Sequence, residues 1–244
     1  MAAFQQSRRV DTPAFLRQMS EYFAKFAPGP GNYYVEVVQS LWSSRDAFTV
    51  ATLNYDLLFE RSVTALSHRL AYHAPPVPEN NVPFLKLHGS CNFLPALGGL
   101  HIVGVQFDLP GPQDVNVAGG VQIAQPEEVI QFCRREDSLA PVIALYAAGK
   151  QILYCPDLVQ QQQQDWRRVV AEATRVYIVG VAVNVNDDHI WSPLAQTRAT
   201  LFYVGPDPTA FHHWAAENRN TASFHLASSF REFLPVFRRH LSRQ

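Results

Sequence analysis

Two short polar clusters, each placed where an apolar run ends, hold the residues of this 244-residue sequence whose chemistry is most suggestive. The first lies in "FTVATLNYDLLFE", residues 48–60, and contains Thr52, Asn54, Tyr55 and Asp56. The second lies in "PFLKLHGSCNF", residues 83–93, and contains His88, Gly89, Ser90 and Asn92. A carboxamide donates and accepts hydrogen bonds at once without adding charge, so Asn54 suits orienting a hydroxyl group or an attacking water. An imidazole whose ordinary pKa is about 6.5 can take up a proton at neutral pH, which makes His88 a candidate general base. Each has a plainer reading: Asn54 as a turn residue, His88 as a hydrogen-bonded histidine at a strand end.

The elements that must present these clusters follow from periodicity. Residues 47–53 are apolar and β-branched without polar alternation, which predicts a strand covered on both faces in a parallel sheet. Asp56 caps a predicted helix with the stripe Phe59, Val63, Leu66 and Leu70. The proline-rich "HAPPVPENNVP", residues 73–83, reads as a loop leading into the strand "FLKLH". Ahead of these, Thr12 and Pro13 open an amphipathic helix ending before Pro28, and Tyr34, Val37, Val38 and Leu41 mark a second helix ending near Ser43. Residues 94–126 form a Gly/Pro-rich insertion in which runs such as "HIVGVQF" suit hairpins. Pro126 with Glu127 and Glu128 then opens a helix to about Arg135. From residue 140 the alternation is regular. The strand "QILYC" precedes a helix opened by Asp157, with Trp166, Val169, Val170 and Ala173 inward. The run of glutamines at 160–164 only supports that helix. The strands "VYIVG", "TLFYV" and "SFHL" follow, separated by helices starting near Asp188 and Asp207, and a closing helix carries Phe230, Phe233, Leu234, Phe237 and Leu241. Alternating strands and helices predict an α/β, doubly wound, mostly parallel Rossmann-like sheet with helices on both faces. The whole chain, 1–244, reads as one domain. In such a sheet ligands bind beyond the carboxyl ends of the strands, which is where both polar clusters, Gly180 and the "GPDP" turn with Asp207 fall.

Bulk properties narrow the function. Lys plus Arg number 20 against 21 Asp plus Glu, a formal net charge of −1, so no overall field gathers nucleic acid. No apolar run approaches the roughly 18 residues of a membrane span, and the N-terminus has no secretory signal pattern. Cys91, Cys133 and Cys155 are scattered without a CxxC pair, which argues against a zinc ribbon or a disulfide framework and for reduced thiols in the cytoplasm. His212 and His213 are too ordinary within a helix to count as a metal pair, and helix capping accounts for Asp187, Asp188 and Asp207.

Taken together, the motifs resemble the sirtuin-like family, in its bacterial NAD-hydrolysing, antiphage-defence-type branch. "TLNYDLLFE" is similar to that branch's T-x-N-Y-D-x-x-x-E segment, and "KLHGSCNF" to its K-L-H-G-S-x-N-aromatic segment. "YIVG" followed by Asp188 is similar to its third segment, and "ASSFREFLPVF" to its ending. The resemblance runs in order over about residues 12–240. It implies cleavage of the nicotinamide–ribose bond of NAD, with NAD as the substrate and no metal. His88 and Asn54 would be the catalytic residues, and Thr52, Asp56, Gly89, Ser90, Gly180 and Asp207 would contact the dinucleotide. A homo-oligomer or a partner defence protein is compatible with this reading; nucleic acid and membrane are not expected partners.

One departure from the family pattern matters. Sirtuin-like domains begin with a strand and a G-A-G-x-S loop whose amides cradle the pyrophosphate. Here the only glycines clustered before "TLNYD" are Gly29 and Gly31 in "PGPGN", which follows no strand. In the strand order 3-2-1-4-5-6 the first strand is central, so a gap is expected between "FTVAT" and "VYIVG". Three accounts are open: Met1 lies inside the domain, the sheet is completed by "PVIALY" at 141–146 or by a second subunit, or the chain is a sirtuin-like nucleotide- or protein-binding module without chemistry. The zinc module of deacylating sirtuins is also absent, which ranks NAD-dependent protein deacylation below hydrolysis.

Overall fold

The computed structural model describes residues 12–44, 47–96, 119–135, 138–144, 152 and 154–242. Two compact units divide the chain. The first takes the described residues within Met1–Ala27, Thr52–Leu58 and Lys86–Gln162, the second those within Pro28–Ala51, Phe59–Leu85 and Gln163–Gln244.

In the first unit, α1 (Thr12–Ala24) packs against α4 (Pro126–Arg134), and β4 (Phe93–Ala96) pairs antiparallel with β5 (Gly120–Ile123). Helix α4 starts at its proline, and the Glu128 carboxylate accepts from the Gln125 N–H at 2.7 Å. Ala24, Leu57, Cys91, Leu94, Ala124, Val129 and Cys133 form one apolar core, which anchors the ends of both polar clusters. A second core joins Leu16, Ala140 and Ile143 to Met19, Tyr55 and Tyr154. The two strands are the ends of the predicted Gly/Pro-rich insertion; "HIVGVQF" lies outside the described residues.

The second unit is α/β with parallel pairing. Strands β6 (Arg175–Val179), β7 (Thr200–Val204) and β8 (Ser223–Ala227) form a parallel sheet in that order, with Tyr177, Phe202 and Phe224 in register and stacked. A short 3-10 turn (Val185–Asp187) leads into α6 (Asp188–Gln196), and α7 (Thr209–Asn218) connects β7 to β8. Helix α8 (Phe230–Ser242) buries Phe233, Leu234 and Phe237, matching the predicted stripe, and packs against α2 (Tyr33–Ser43). A further sheet has the order β1-β3-β2, with β2 (Arg69–Ala71) parallel to β3 (Asn81–Lys86). The last residues of β1 (Val50–Thr52) and β3, Thr52 and Lys86, begin segments of the first unit. Helix α5 (Asp157–Glu172) runs from the first unit into the second.

Several boundaries depart from expectation. Residues Val50–Thr52 are half-buried rather than covered, because β1 is an edge in the order β1-β3-β2. Helix α3 (Leu58–Ala65) stops before Leu70, which lies in β2; Ser67 adopts φ 61°, a left-handed turn that no helix can continue through. Strand β3 begins at Asn81 and includes Pro83, opposite Ala71, so the loop is three residues shorter than predicted and the ladder loses only the one donor that proline lacks. "PVIALY" contributes no strand to either parallel sheet among its described residues. It makes isolated antiparallel bridges instead, Gly89 with Ile143 and Ala144 with Ile152; of the predicted strand "QILYC", residues 151 and 153 lie outside the described residues. Among the described residues no strand joins β1 to β6, and no helix is long and apolar enough to cross a membrane.

Candidate active site

Six of the eight predicted site residues, Thr52, Asn54, Asp56, His88, Gly89 and Ser90, belong to the first unit, on two loops fastened to each other. The Leu87 N–H donates to the Thr52 carbonyl at 3.1 Å and the Cys91 N–H to the Tyr55 carbonyl at 3.0 Å. Ser90 Oγ, on a fully buried residue, reaches the same Tyr55 carbonyl at 3.5 Å. With Leu57 and Cys91 in one core, the two loops are set by burial as well as by hydrogen bonds.

Within the first loop, the Thr52 hydroxyl accepts from the Asn54 N–H at 3.1 Å and an Asp56 carboxylate oxygen from the Leu58 N–H at 3.0 Å. Thr52 thus shapes the turn on which Asn54 sits, and Asp56 performs its predicted cap on α3. The Asn54 side chain is left exposed. His88 is buried at 6% exposure.

A third segment holds the second loop from the other side. The Ser90 N–H donates to Val142 O at 3.0 Å, the Val142 N–H to Phe93 O at 2.8 Å, and the Ala144 N–H to His88 O at 2.8 Å. Gly89 is the point of closest approach. Its φ is +79°, and a Cβ there would stand 2.1 Å from the Val142 carbonyl oxygen. Only glycine meets both demands, whatever else this position does. Asn92 ties the loop onward to the end of β5: the Ala124 N–H donates to Asn92 O at 2.9 Å.

Three residues that the sequence reading left without a role complete the arrangement. The Tyr55 hydroxyl donates to Ala144 O at 2.7 Å, and burial pushes its pKa up to about 12, so it stays a neutral donor. Lys86 is fully buried, and its Nζ donates to Asp56 O at 2.5 Å. Gln162, also fully buried, accepts the Lys86 N–H through Oε1. Lys86 had a signal, a lone charge within an apolar strand. Tyr55 had its place between Asn54 and Asp56. Gln162, one of a run of glutamines, had none.

The other two predicted residues lie in the second unit. Gly180 follows β6 with φ +67° and donates its N–H to Val204 O at 2.9 Å, with open space where a Cβ would go. Asp207 accepts from the Thr209 N–H at 2.9 Å, and hydrogen bonding to the Thr209 side chain first, and to this N–H second, lowers its pKa. This is the capping role expected of it. The cysteines offer no activated thiol at Cys133 or Cys155. Burial pushes the first up to about 12 and raises the second.

Comparison with solved structures identifies the fold. A Sir2 homologue carrying a histidine-to-asparagine substitution, in complex with ADP-ribose, superposes with a TM-score of 0.54 over 98% of this chain and 76% of its own, at 14% sequence identity. The architecture is thus a Rossmann-like, sirtuin-like α/β fold. No protein-family model matches the sequence. No curated protein matches it either.

Proposed function

We propose that this chain is a single sirtuin-like domain, 1–244, that hydrolyses NAD to nicotinamide and ADP-ribose. The observation that carries the reading is that the two loops bearing Asn54 and His88, a sugar-orienting carboxamide and a proton-accepting imidazole, are pinned to one another by main-chain bonds at both ends, Leu87 to Thr52 and Cys91 to Tyr55. The solved structure of similar fold, which holds ADP-ribose, supports the choice of ligand class.

The chemistry asks little of the protein. Cationic nicotinamide is a good leaving group: the bond between its ring nitrogen and ribose C1′ breaks with both electrons going to the nitrogen, leaving an oxocarbenium-like centre. A water oxygen then bonds to C1′ and gives up one proton. His88 accepts a proton from a ribose hydroxyl or from that water, and Asn54 orients the same group through its amide. Thr52, Asp56, Gly89 and Ser90 keep both loops in shape. The reaction needs no metal. We place the domain in the cytoplasm and read antiphage defence, with a homo-oligomer or a partner defence protein, as its setting.

A second reading, binding of a nucleotide without turnover, is favoured by one observation. The "PGPGN" turn is no phosphate cradle, since the Asn32 side chain already caps α2, accepting from the Val35 N–H at 3.1 Å and donating to Gly29 O at 3.3 Å. Incubating purified protein with NAD and quantifying products by chromatography separates the two. Equal amounts of nicotinamide and ADP-ribose, formed without an acylated peptide, support hydrolysis. Saturable ADP-ribose binding by calorimetry with no product supports the binding module.

A further inference from the structure

We propose that Tyr55 and Lys86 are positioning residues: they brace the two loops of the site from beneath and so fix where Asn54 and His88 stand, without touching substrate. The inference rests on the hydrolytic reading of that site.

The connectivity is specific. Ala144 is held at both of its main-chain polar groups, its carbonyl taking the Tyr55 hydroxyl at 2.7 Å and its N–H reaching the His88 carbonyl at 2.8 Å. A single residue therefore links the neighbour of Asn54 to His88 itself. In the opposite sense, the carbonyls of the two residues that follow Asn54 are both taken from the segment that carries His88: Tyr55 O by the Cys91 N–H at 3.0 Å, Asp56 O by Nζ of Lys86, the last residue of β3, at 2.5 Å. The Tyr55 ring is seated in the Leu16, Ala140 and Ile143 core, so its hydroxyl approaches Ala144 from a fixed base.

A buried ammonium is an expensive way to fill a strand. Met or Leu would pack there without desolvating a charge, whereas lysine carries a donor far enough from the strand to meet a loop carbonyl. Both donors point at main-chain oxygen, and neither Tyr55 nor Lys86 is exposed, so their leverage on the chemistry is geometric. A displacement of about 1 Å in a catalytic group can lower a rate by about 10²-fold, which is the scale on which loosened loops would act.

Tyr55→Phe tests this, since it keeps the ring and deletes only the hydroxyl. Expected are a kcat for nicotinamide release lower by about tenfold or more, a KM for NAD within about twofold of wild type, and no further loss when the change is added to His88→Ala, as for residues acting as one unit. Lys86→Met should show the same kcat-selective loss; if it does not fold, Tyr55→Phe decides alone. An unchanged kcat, or losses that multiply with His88→Ala, overturns the proposal. Hydrogen–deuterium exchange provides a readout independent of turnover: the Ala144 and Cys91 amides should exchange faster in Tyr55→Phe. If wild-type protein releases no nicotinamide, the hydrolytic reading fails, and exchange then judges the brace. Acceleration confined to those amides supports it, and unchanged exchange overturns it.

Discussion

Both units contain side chains that reach across the chain to main-chain carbonyls, but on different ground. In the first, Tyr55, Lys86 and Ser90 secure the loops that carry Asn54 and His88. In the second, the Arg219 guanidinium donates to the carbonyls of Leu194, to Thr197 at 3.3 Å and to Ala199 at 2.7 Å, closing the C-terminal end of α6, and its Nε reaches Ser223 Oγ at 3.0 Å. The device is the same, a main-chain carbonyl met by a side chain distant in sequence. What separates the regions is the cargo: the first braces a carboxamide and an imidazole, the second a helix end with no acid–base group in the bracket. An interlock alone marks stability. An interlock around groups able to move a proton marks a candidate site.

The glycines give the sharpest contrast. Gly89→Ala forces a left-handed residue into the Val142 carbonyl and should lower unfolding free energy by about 3 kcal/mol in urea titration. Gly180→Ala meets only the backbone term, about 1 kcal/mol, because open space surrounds its Cβ position. Equal losses at the two sites would mean that the Val142 contact is not as tight as the structure has it. Between these falls Arg219→Ala, expected to lower stability by about 2 kcal/mol through lost charged hydrogen bonds while leaving nicotinamide release within about twofold. A large loss of kcat there would break the comparison.

The smallest effect concerns acid. Asp207 has a folded pKa below its ordinary 3.8, held there by its bonds to Thr209. Its contribution is therefore present above pH 3.8 and lost as pH falls through the lowered value. Thermal denaturation of Asp207→Ala should run slightly below wild type at neutral pH and converge with it at the acid end. Convergence at alkaline pH instead would contradict the cap.

Much of this was legible in the sequence, and the failures have physical causes. Apolar runs mark β6 and β7, and the central strand β7 buries Leu201, Tyr203 and Val204, whereas β8 carries Ser223 and His225 and leaves Phe224 exposed. The closing helix shows in its stripe of Phe233, Leu234 and Phe237. Leu70 misled because it continued a helical stripe; what ends that helix, a left-handed Ser67, leaves no sign in residue type. Asn54 and His88 stood out as polar residues at strand ends. Their support did not. Gln162 meets Lys86 across 76 residues and Tyr55 meets Ala144 across 89, pairings that no local pattern encodes.

The central claim is that one carboxamide and one imidazole, on two fastened loops, act on a single NAD. The measurement that tests it most directly is nicotinamide release from NAD by wild type, His88→Ala and Asn54→Ala, each checked for native circular dichroism. The account predicts turnover by wild type and losses of about 10²–10⁴-fold for His88→Ala, with a comparable fall for Asn54→Ala. Folded variants that both turn over NAD at the wild-type rate would contradict it.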